Sequence, residues 1–145
     1  MATFKAPDIT TPQFMGGYGN AAVALGSVTP TAGALADVYI PVVIPAGMRV
    51  TDVDIINDDL DSGAGTVSAK IGYSPVVSAD GPTADDAYFA ATSTFLASAG
   101  KKSCTFQPIK FEKPVFLVIT LTIAANVFAS GKVTAVVKGI AEGIK

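Results

Sequence analysis

The sequence predicts an all-β domain, either a sandwich or a barrel, and three observations support this fold class. From residue 35 onward, short apolar segments recur about every ten residues and are separated by glycine, proline, asparagine and aspartate. Several segments alternate apolar and polar side chains, which is the period of a strand with one buried face. The chain has 145 residues, enough for one domain that buries its own core.

Six strands are predicted, and two of them carry signs of their position in a sheet. Their ranges are 35–44, 49–57, 66–73, 103–111, 114–124 and 132–140. Because Pro41 lacks a backbone N–H group, the first strand is predicted at an edge or a bulge. The fifth is predicted at the centre of the core, because one of its faces is wholly apolar, with Leu117, Ile119, Leu121 and Ile123.

Alternation in the second and third strands predicts which side chains face the core. In the second strand one face holds Thr51, Val53 and Ile55, and the other holds Asp52 and Asp54. In the third strand the inward face is predicted to hold Val67, Ala69, Ile71 and Tyr73. Both strands are expected to be half buried.

Residues 83–99 are predicted to contain one short helix or helical turn that covers an end or edge of the sandwich. Thr83 and Asp86 have the spacing of an N-terminal capping box, with aspartate in place of glutamate. Apolar residues follow at helical spacing, and Gly100 stands where a C-terminal cap belongs. Phe89 and Phe95 are expected to fill the core.

Residues 1–34 differ in composition from the rest and are predicted to form an extended N-terminal arm, followed by the sandwich domain at 35–145. The segment is nearly free of charge and shows no sustained period, so it cannot build a core of its own. The alternative is an ordered edge strand with a frayed terminus. As an arm it would dock on another subunit, and the contact candidates are Phe4, Ile9, Phe14, Met15 and Tyr18.

Composition excludes several classes of enzyme chemistry. The chain has no histidine, so a Ser-His-Asp triad, a Cys-His dyad and imidazole metal ligands are impossible. The single cysteine, Cys104, cannot form an internal disulfide and is expected to fill space in the core. No nucleophile with a base and an orienting group is present, so we expect neither an enzyme nor a bound cofactor.

Aspartates at 52–61 raise two possible activities, and each has a simpler explanation. Asp61-Ser62-Gly63 matches the Asp-Ser/Thr-Gly turn of aspartic proteases, but the same tripeptide is an ordinary turn between strands. Carboxylates at positions 52, 54, 58, 59 and 61 are dense enough to attract calcium, but the EF-hand spacing is absent. A turn and a solvated strand face are therefore preferred, and no metal site is predicted.

Charge is divided unevenly along the chain. The net charge of -2 combines -7 in residues 1–100 with +5 in residues 101–145. Pairing between neighbouring strands of one subunit is the favoured explanation, and complementary edges between subunits are the alternative. The small net charge and the single arginine, Arg49, argue against a nucleic-acid partner.

No membrane partner or secretory leader is predicted. The most apolar run, 114–125, is shorter than a membrane span and is interrupted by Thr120 and Thr122. The first fourteen residues lack the basic start and apolar core of a signal peptide. Synthesis in a cytosol is therefore expected.

One part of the chain resembles small head proteins of tailed phages. The run 58–74 follows their pattern of Leu-Asp-Ser/Thr-Gly, a short alternating strand and then Gly-Tyr. As in those proteins, an Asp-rich start leads into an aromatic and Ala-rich segment at 85–91, and a glycine-bearing turn follows. A closing hairpin of 114–124 with 132–140 is similar as well. The resemblance covers about residues 38–143 and excludes the arm.

The resemblance implies a capsid decoration or cement protein with a jelly-roll-like antiparallel β-sandwich and no active site. Its implied partners are the major capsid protein and two further copies in a homotrimer. Its implied location is the outer capsid surface of the virion, after synthesis in the host cytoplasm. The alternative is a tail, fibre or host-surface binding module that uses loop 74–82, and a retropepsin-like hydrolase is a third hypothesis.

Overall fold

Two β-sheets pack face to face around an apolar core in the computed structural model, which describes residues 1–7, 9, 13–14 and 20–144. The first sheet contains β1 (Thr3–Lys5), β4 (Val38–Ile40), β5 (Val43–Ile44), β7 (Ser68–Pro75), β8 (Asp85–Ser93) and β11 (Val115–Ile123). The second contains β2 (Gln13–Phe14), β3 (Asn20–Val28), β6 (Met48–Asn57), β9 (Gly100–Ser103), β10 (Ile109–Lys110) and β12 (Val133–Ala141). The predicted all-β sandwich is confirmed.

Strand order places β11 and β12 at the centres of the two sheets. The first sheet has the order β1-β4-β11-β7-β8, with β5 also paired to β11. The second has the order β10-β6-β12-β3-β2, with β9 also paired to β6. Among the strands that the structure describes, every pairing is antiparallel except that of β1 with β4.

The predicted central position of the fifth strand is confirmed. Leu117, Ile119 and Leu121 of β11 are fully buried between the sheets. Ile123, assigned to the same face, is 50% exposed because it lies at the end of the strand, beyond a register irregularity.

Pro41 splits the first predicted strand into β4 and β5. The chain there crosses Gly26 of β3 so closely that a Cβ on this glycine would lie 2.2 Å from the Pro41 carbonyl oxygen. Prediction of one strand at 103–111 was wrong, because only its two ends pair with β6, as β9 and β10.

A β-bulge corrects the predicted faces of β6. Lys138 pairs with Asp52 and Gly139 with Val50, which leaves Thr51 without an opposite residue. Thr51 is therefore exposed, although strict alternation placed it on the buried face of Val53 and Ile55. The predicted inward face of the next strand, from Val67 to Tyr73, is buried as expected.

A helical turn is present within 83–99, as predicted, but the helical spacing that follows the capping box is misleading, because Asp85–Ser93 forms the edge strand β8. Only Phe95–Ala97 is helical, as a single 3₁₀ turn. Phe89 is fully buried in an aromatic cluster and its ring lies 4.8 Å from that of Phe106, so its predicted core position is confirmed. Phe95 is partly buried against the core.

The closing hairpin of the last two strands is also corrected. β11 belongs to the first sheet and β12 to the second, so residues 124–132 cross from one sheet to the other. Both strands have neighbours on each side, β4 and β7 for β11 and β6 and β3 for β12, which leaves no edge at which they can pair.

Residues of the predicted arm contribute strands to both sheets. β1 pairs with β4, and β3 runs antiparallel to β12 over nine residues from Asn20 to Val28. Part of the segment 1–34 is thus built into the sandwich. In the described part of the chain, no helix is long and apolar enough to cross a membrane.

Candidate interaction surface

The five contact candidates of residues 1–34 differ in burial, and the structure describes only some of them. Phe4 is half buried, and its ring stands edge-on to Tyr39 at 5.7 Å, so it contributes to packing within the chain. Ile9 is partly buried. Phe14 pairs with Ala24 through the backbone of β2, but its side chain is outside the description. Met15 and Tyr18 lie outside the described residues.

Exposed apolar side chains occur on the outer face of the second sheet. Val23 and Leu25 of β3 are 47% and 43% exposed. On neighbouring strands, Ile140 of β12 and Ile56 of β6 are 38% and 47% exposed. On the same face, Lys138 forms ion pairs with Asp52 and Asp54. The face is therefore apolar, and these charges neutralise one another.

A second exposed apolar group, called here the apolar tip, consists of Leu35, Ile123 and Val127 at one end of the sandwich. Their side chains are 62%, 50% and 53% exposed. Backbone hydrogen bonds from Ala36 N–H to Leu121 O, at 3.0 Å, and from Ala125 N–H to Gly33 O, at 2.9 Å, hold these segments side by side. No local sequence signal marks the tip, because the exposure of these side chains depends on where β11 ends and on which loops lie beside it.

Asp61 fixes the loop that carries Val127. Its carboxylate is buried and accepts five backbone N–H groups at 2.9–3.2 Å, from Gly63, Thr66, Val67, Asn126 and Val127. The hydrogen bond from Val127 is the main cause that holds the pKa of Asp61 well below its usual range, and the other N–H groups add to it against the opposing effect of burial. Asp61 therefore ties the β6–β7 loop to the crossing between the sheets.

This geometry favours a structural turn over the catalytic carboxylate of a protease. The Oδ1 atom accepts two of the backbone N–H groups and Oδ2 accepts three. A catalytic aspartate must share a proton with a second carboxylate and hold a water molecule. Both oxygens of Asp61 are instead occupied by the protein backbone.

The remaining aspartates of 52–61 do not converge on a shared site. Asp58 accepts the backbone N–H of Lys132 at 2.7 Å, and Asp59 accepts that of Asp61 at 2.9 Å. Asp52 and Asp54 lie on the outer face of β6 beside lysines. No group of three or more potential metal ligands occurs among the residues that the structure describes.

Ion pairs within the chain join its acidic and basic parts, as the favoured interpretation predicts. Asp54 lies 3.4 Å from Lys101 and 3.6 Å from Lys138, and both lysines come from the basic end of the sequence. Burial raises the pKa of Asp54, but a hydrogen bond from Ser103 and the two ammonium groups outweigh burial and lower it. Arg49 and Glu142 form a bidentate pair at 2.6 and 3.0 Å.

Cys104 is not placed for nucleophilic chemistry. Its side chain packs against the core, and burial is the main cause that raises the pKa of the thiol to about 11. The reactive thiolate is therefore scarce at neutral pH.

Comparison of folds gives matches along nearly the whole chain. A chain of the capsid of Ralstonia phage GP4 has a similar fold, with a TM-score of 0.77 and 18% identity over 99% of this chain and 100% of that one. A chain of the cyanophage Pam1 capsid has a TM-score of 0.68 and 23% identity, over 87% and 88% of the two chains.

A third match comes from the acid-stable capsid of Helicobacter pylori bacteriophage KHP30. Its TM-score is 0.60 and its identity 17%, over 92% of this chain and 95% of that chain. No protein-family model matches the sequence, and a search among curated proteins finds no significant match. At these identities the shared feature is the sandwich fold.

Proposed function

We propose that this chain is a virion structural protein, a capsid decoration or cement protein that binds the outside of a phage head and stabilises contacts between coat subunits. The observation that supports the proposal most directly is the match to a phage capsid chain over 99% of this chain and 100% of that one. Because the match spans both chains end to end, the similarity extends to the whole sandwich.

The surface of the molecule suits a binding role. Most described charges are compensated within the chain, and large apolar side chains are exposed at the apolar tip and on the outer face of the second sheet. Apolar surface exposed in this way is typical of sites that bind other proteins. Many weak contacts, repeated by the symmetry of a shell, add up to strong attachment.

In this proposal the partners are the major capsid protein and further copies of the chain, as a homotrimer. The N-terminal segment, with Ile9, Phe14, Met15 and Tyr18, contributes to the contact with coat or sister subunits. The protein acts by binding and has neither catalytic residues nor a cofactor. It is made in the host cytoplasm and ends on the outer capsid surface.

The test is to mix the purified protein with phage shells that lack it, and to measure occupancy and heat resistance of the shells. Saturable binding, together with a higher temperature of shell disruption, is expected. Absence of binding, with a monomer in solution, would contradict the cement role. Binding to host cells but not to shells would instead support a tail, fibre or host-surface module.

A further inference from the structure

A groove runs along the side of the sandwich, between the N-terminal segment and β3. Lys5 and Pro7 line one side, the backbone and side chains of residues 25–27 with Thr29 line the other, and Lys132 completes the lining. The groove has a volume of about 530 Å³, which lies within the range of pockets that bind small molecules.

The charge of this groove differs from that of the rest of the surface. Of the nine described side-chain cations, six form ion pairs with carboxylates, namely Arg49, Lys70, Lys101, Lys110, Lys113 and Lys138. Lys5, Lys102 and Lys132 have no carboxylate within 4.0 Å among the described residues, and two of these three line the groove.

The environment of Lys5 keeps its positive charge available. Its ammonium nitrogen lies 4.8 Å from the centroid of the Phe116 ring. A cation–π contact orients an ammonium group without neutralising it. Lys132 is exposed, and its backbone N–H is held by Asp58 at 2.7 Å, which fixes the point from which its side chain extends.

The other lining residues indicate the kind of ligand. Leu25 is 43% exposed and Pro7 is exposed, so the groove offers apolar surface beside its lysines. The hydroxyl of Ser27 forms a hydrogen bond with that of Thr134 at 2.7 Å, and Thr29 contributes a further hydroxyl to the lining. A mixed apolar and cationic groove suits an extended peptide that alternates carboxylate and apolar side chains better than it suits a small free anion.

We propose that this groove binds an acidic, extended segment of a partner protein, with Lys5 and Lys132 contacting its carboxylates and Leu25 and Pro7 its apolar side chains. The partner segment belongs to a coat subunit, an assignment that rests on the proposed function. Nucleic acid fits less well, because two lysines supply few phosphate contacts.

The first experiment uses a soluble probe, a ten-residue peptide of alternating glutamate and leucine, compared with its glutamine counterpart. The wild-type protein is expected to bind the glutamate peptide about tenfold more tightly, and salt is expected to weaken that preference. The double variant K5Q/K132Q should lose the preference, whereas K102Q, which removes the third such lysine, should keep it. Equal binding of both peptides by the wild type, or an unchanged preference in K5Q/K132Q, overturns the proposal. Tighter binding of a ten-residue oligothymidine than of the glutamate peptide overturns it as well.

The second experiment repeats the comparison on shells and separates the two proposals. K5Q/K132Q is expected to raise the dissociation constant for shells about tenfold, and K5R/K132R and K102Q to change it less than about twofold. If the wild type binds shells and K5Q/K132Q binds them equally well, the groove proposal fails and the cement role stands. If no variant binds shells but the peptide preference holds, the cement role fails and the groove is an acidic-peptide site for another partner. Equal melting temperatures of the variants show that they are folded.

Discussion

The carboxylate of Asp61 is buried with no cation within 4.0 Å among the described residues, and backbone N–H groups from two segments of chain replace the water that it loses. Gly63, Thr66 and Val67 belong to its own loop, whereas Asn126 and Val127 come from the crossing between the sheets. Hydrogen bonds to a charged acceptor are stronger than those between neutral groups. One side chain therefore joins two loops that are distant in sequence.

Replacing Asp61 by asparagine is expected to lower the free energy of unfolding. The amide keeps one acceptor oxygen and turns a donor NH₂ toward backbone N–H groups, which leaves several of them unpaired. Urea denaturation at neutral pH measures this loss. The matched control is D80N, because Asp80 is exposed and only forms a surface pair with Lys113. A loss in D61N no larger than in D80N would contradict the structural role of Asp61.

The same variant predicts a change in pH dependence. The pKa of Asp61 is held well below its usual range in the folded state, against about 3.9 when unfolded. Its stabilising contribution is therefore complete above about pH 5 and is lost as the pH falls through the unfolded and then the folded pKa. Stability of the wild type should fall more steeply with acid than that of D61N, as measured by denaturation from pH 7 to 3.

For a single residue such as Asp61, the sequence predicts the local turn but not the distant backbone groups that its carboxylate binds. Asp-Ser-Gly predicts a turn, and a turn is present. The two donors from residues 126–127 depend on how the sheets are connected, so no local pattern reveals them. Exposure of Thr51 was missed for a similar reason, because the bulge opposite Lys138 and Gly139 arises from pairing between strands.

Strand β8 shows how an element can have a helical pattern and a strand conformation. Ile71 of β7 pairs with Ala90 of β8, and Tyr73, two residues further along, pairs with Asp85. The residues of β8 between these two pairs therefore bulge out of register. This irregularity brings Phe89 into the core and leaves Tyr88 beside it, with their rings 5.5 Å apart. The spacing of apolar residues in β8 therefore reflects the bulge, and it resembles the spacing of a helix.

Gly72 is predicted to be essential for this close approach of β8. A Cβ at Gly72 would lie 2.0 Å from the Asp85 carbonyl oxygen and 2.3 Å from the Asp86 carbonyl carbon. Because both are backbone atoms, G72A must shift β8, and we expect a loss of about 3 kcal/mol in the free energy of unfolding. Chemical denaturation measures this value.

The control for this prediction is G100A, at a strand glycine with no heavy atom within 4 Å of the added Cβ. This substitution reduces the freedom of the unfolded chain, so stability should rise by up to about 1 kcal/mol. Equal effects of G72A and G100A would contradict the close contact of β7 with β8.

Across the whole molecule, the two sheets are assembled from distant parts of the chain. β3 pairs with β12, and β4 pairs with β11, so sequence neighbours often lie in opposite sheets. Alternation and turn residues are local signals, and they were sufficient to predict β4–β7, β11, β12 and much of the core, whereas β3 lies in the predicted arm and β8 in the predicted helical segment. Assignment of β11 and β12 to separate sheets was not predictable, because a hairpin and a crossing have the same local pattern.

Of the surface features, one was predictable from the sequence and two depend on the assembled fold. Pairing of acidic with basic strands within the chain was predicted from the charge distribution, and Asp54 with Lys138 is one such pair. The groove was not predicted, because Lys5 and Lys132 are far apart in sequence and line one groove only through the packing of the two sheets, β1 belonging to the first and β3 to the second. The apolar tip likewise depends on the backbone bonds that bring residues 33–36 beside 121–125.

Deletion of residues 1–18 is predicted to separate the folding role of the N-terminal segment from its binding role. The deletion removes β1 and β2, which are edge strands, and keeps β3 with its full pairing to β12. It also removes the Phe4 ring from Tyr39 and the Ala2 N–H group from Asp37, at 2.7 Å. We expect a folded protein that is less stable by about 3 kcal/mol, on the scale of one large apolar side chain and its neighbouring hydrogen bonds.

Binding of this truncated protein to shells decides whether the segment holds the protein on the capsid. Circular dichroism and chemical denaturation establish that the sandwich is folded under the conditions of the assay. Weaker attachment is expected, because the N-terminal contacts and the Lys5 side of the groove are both absent. Attachment as tight as that of the full chain would assign binding to the apolar tip and to the outer face of the second sheet, both of which the deletion leaves in place.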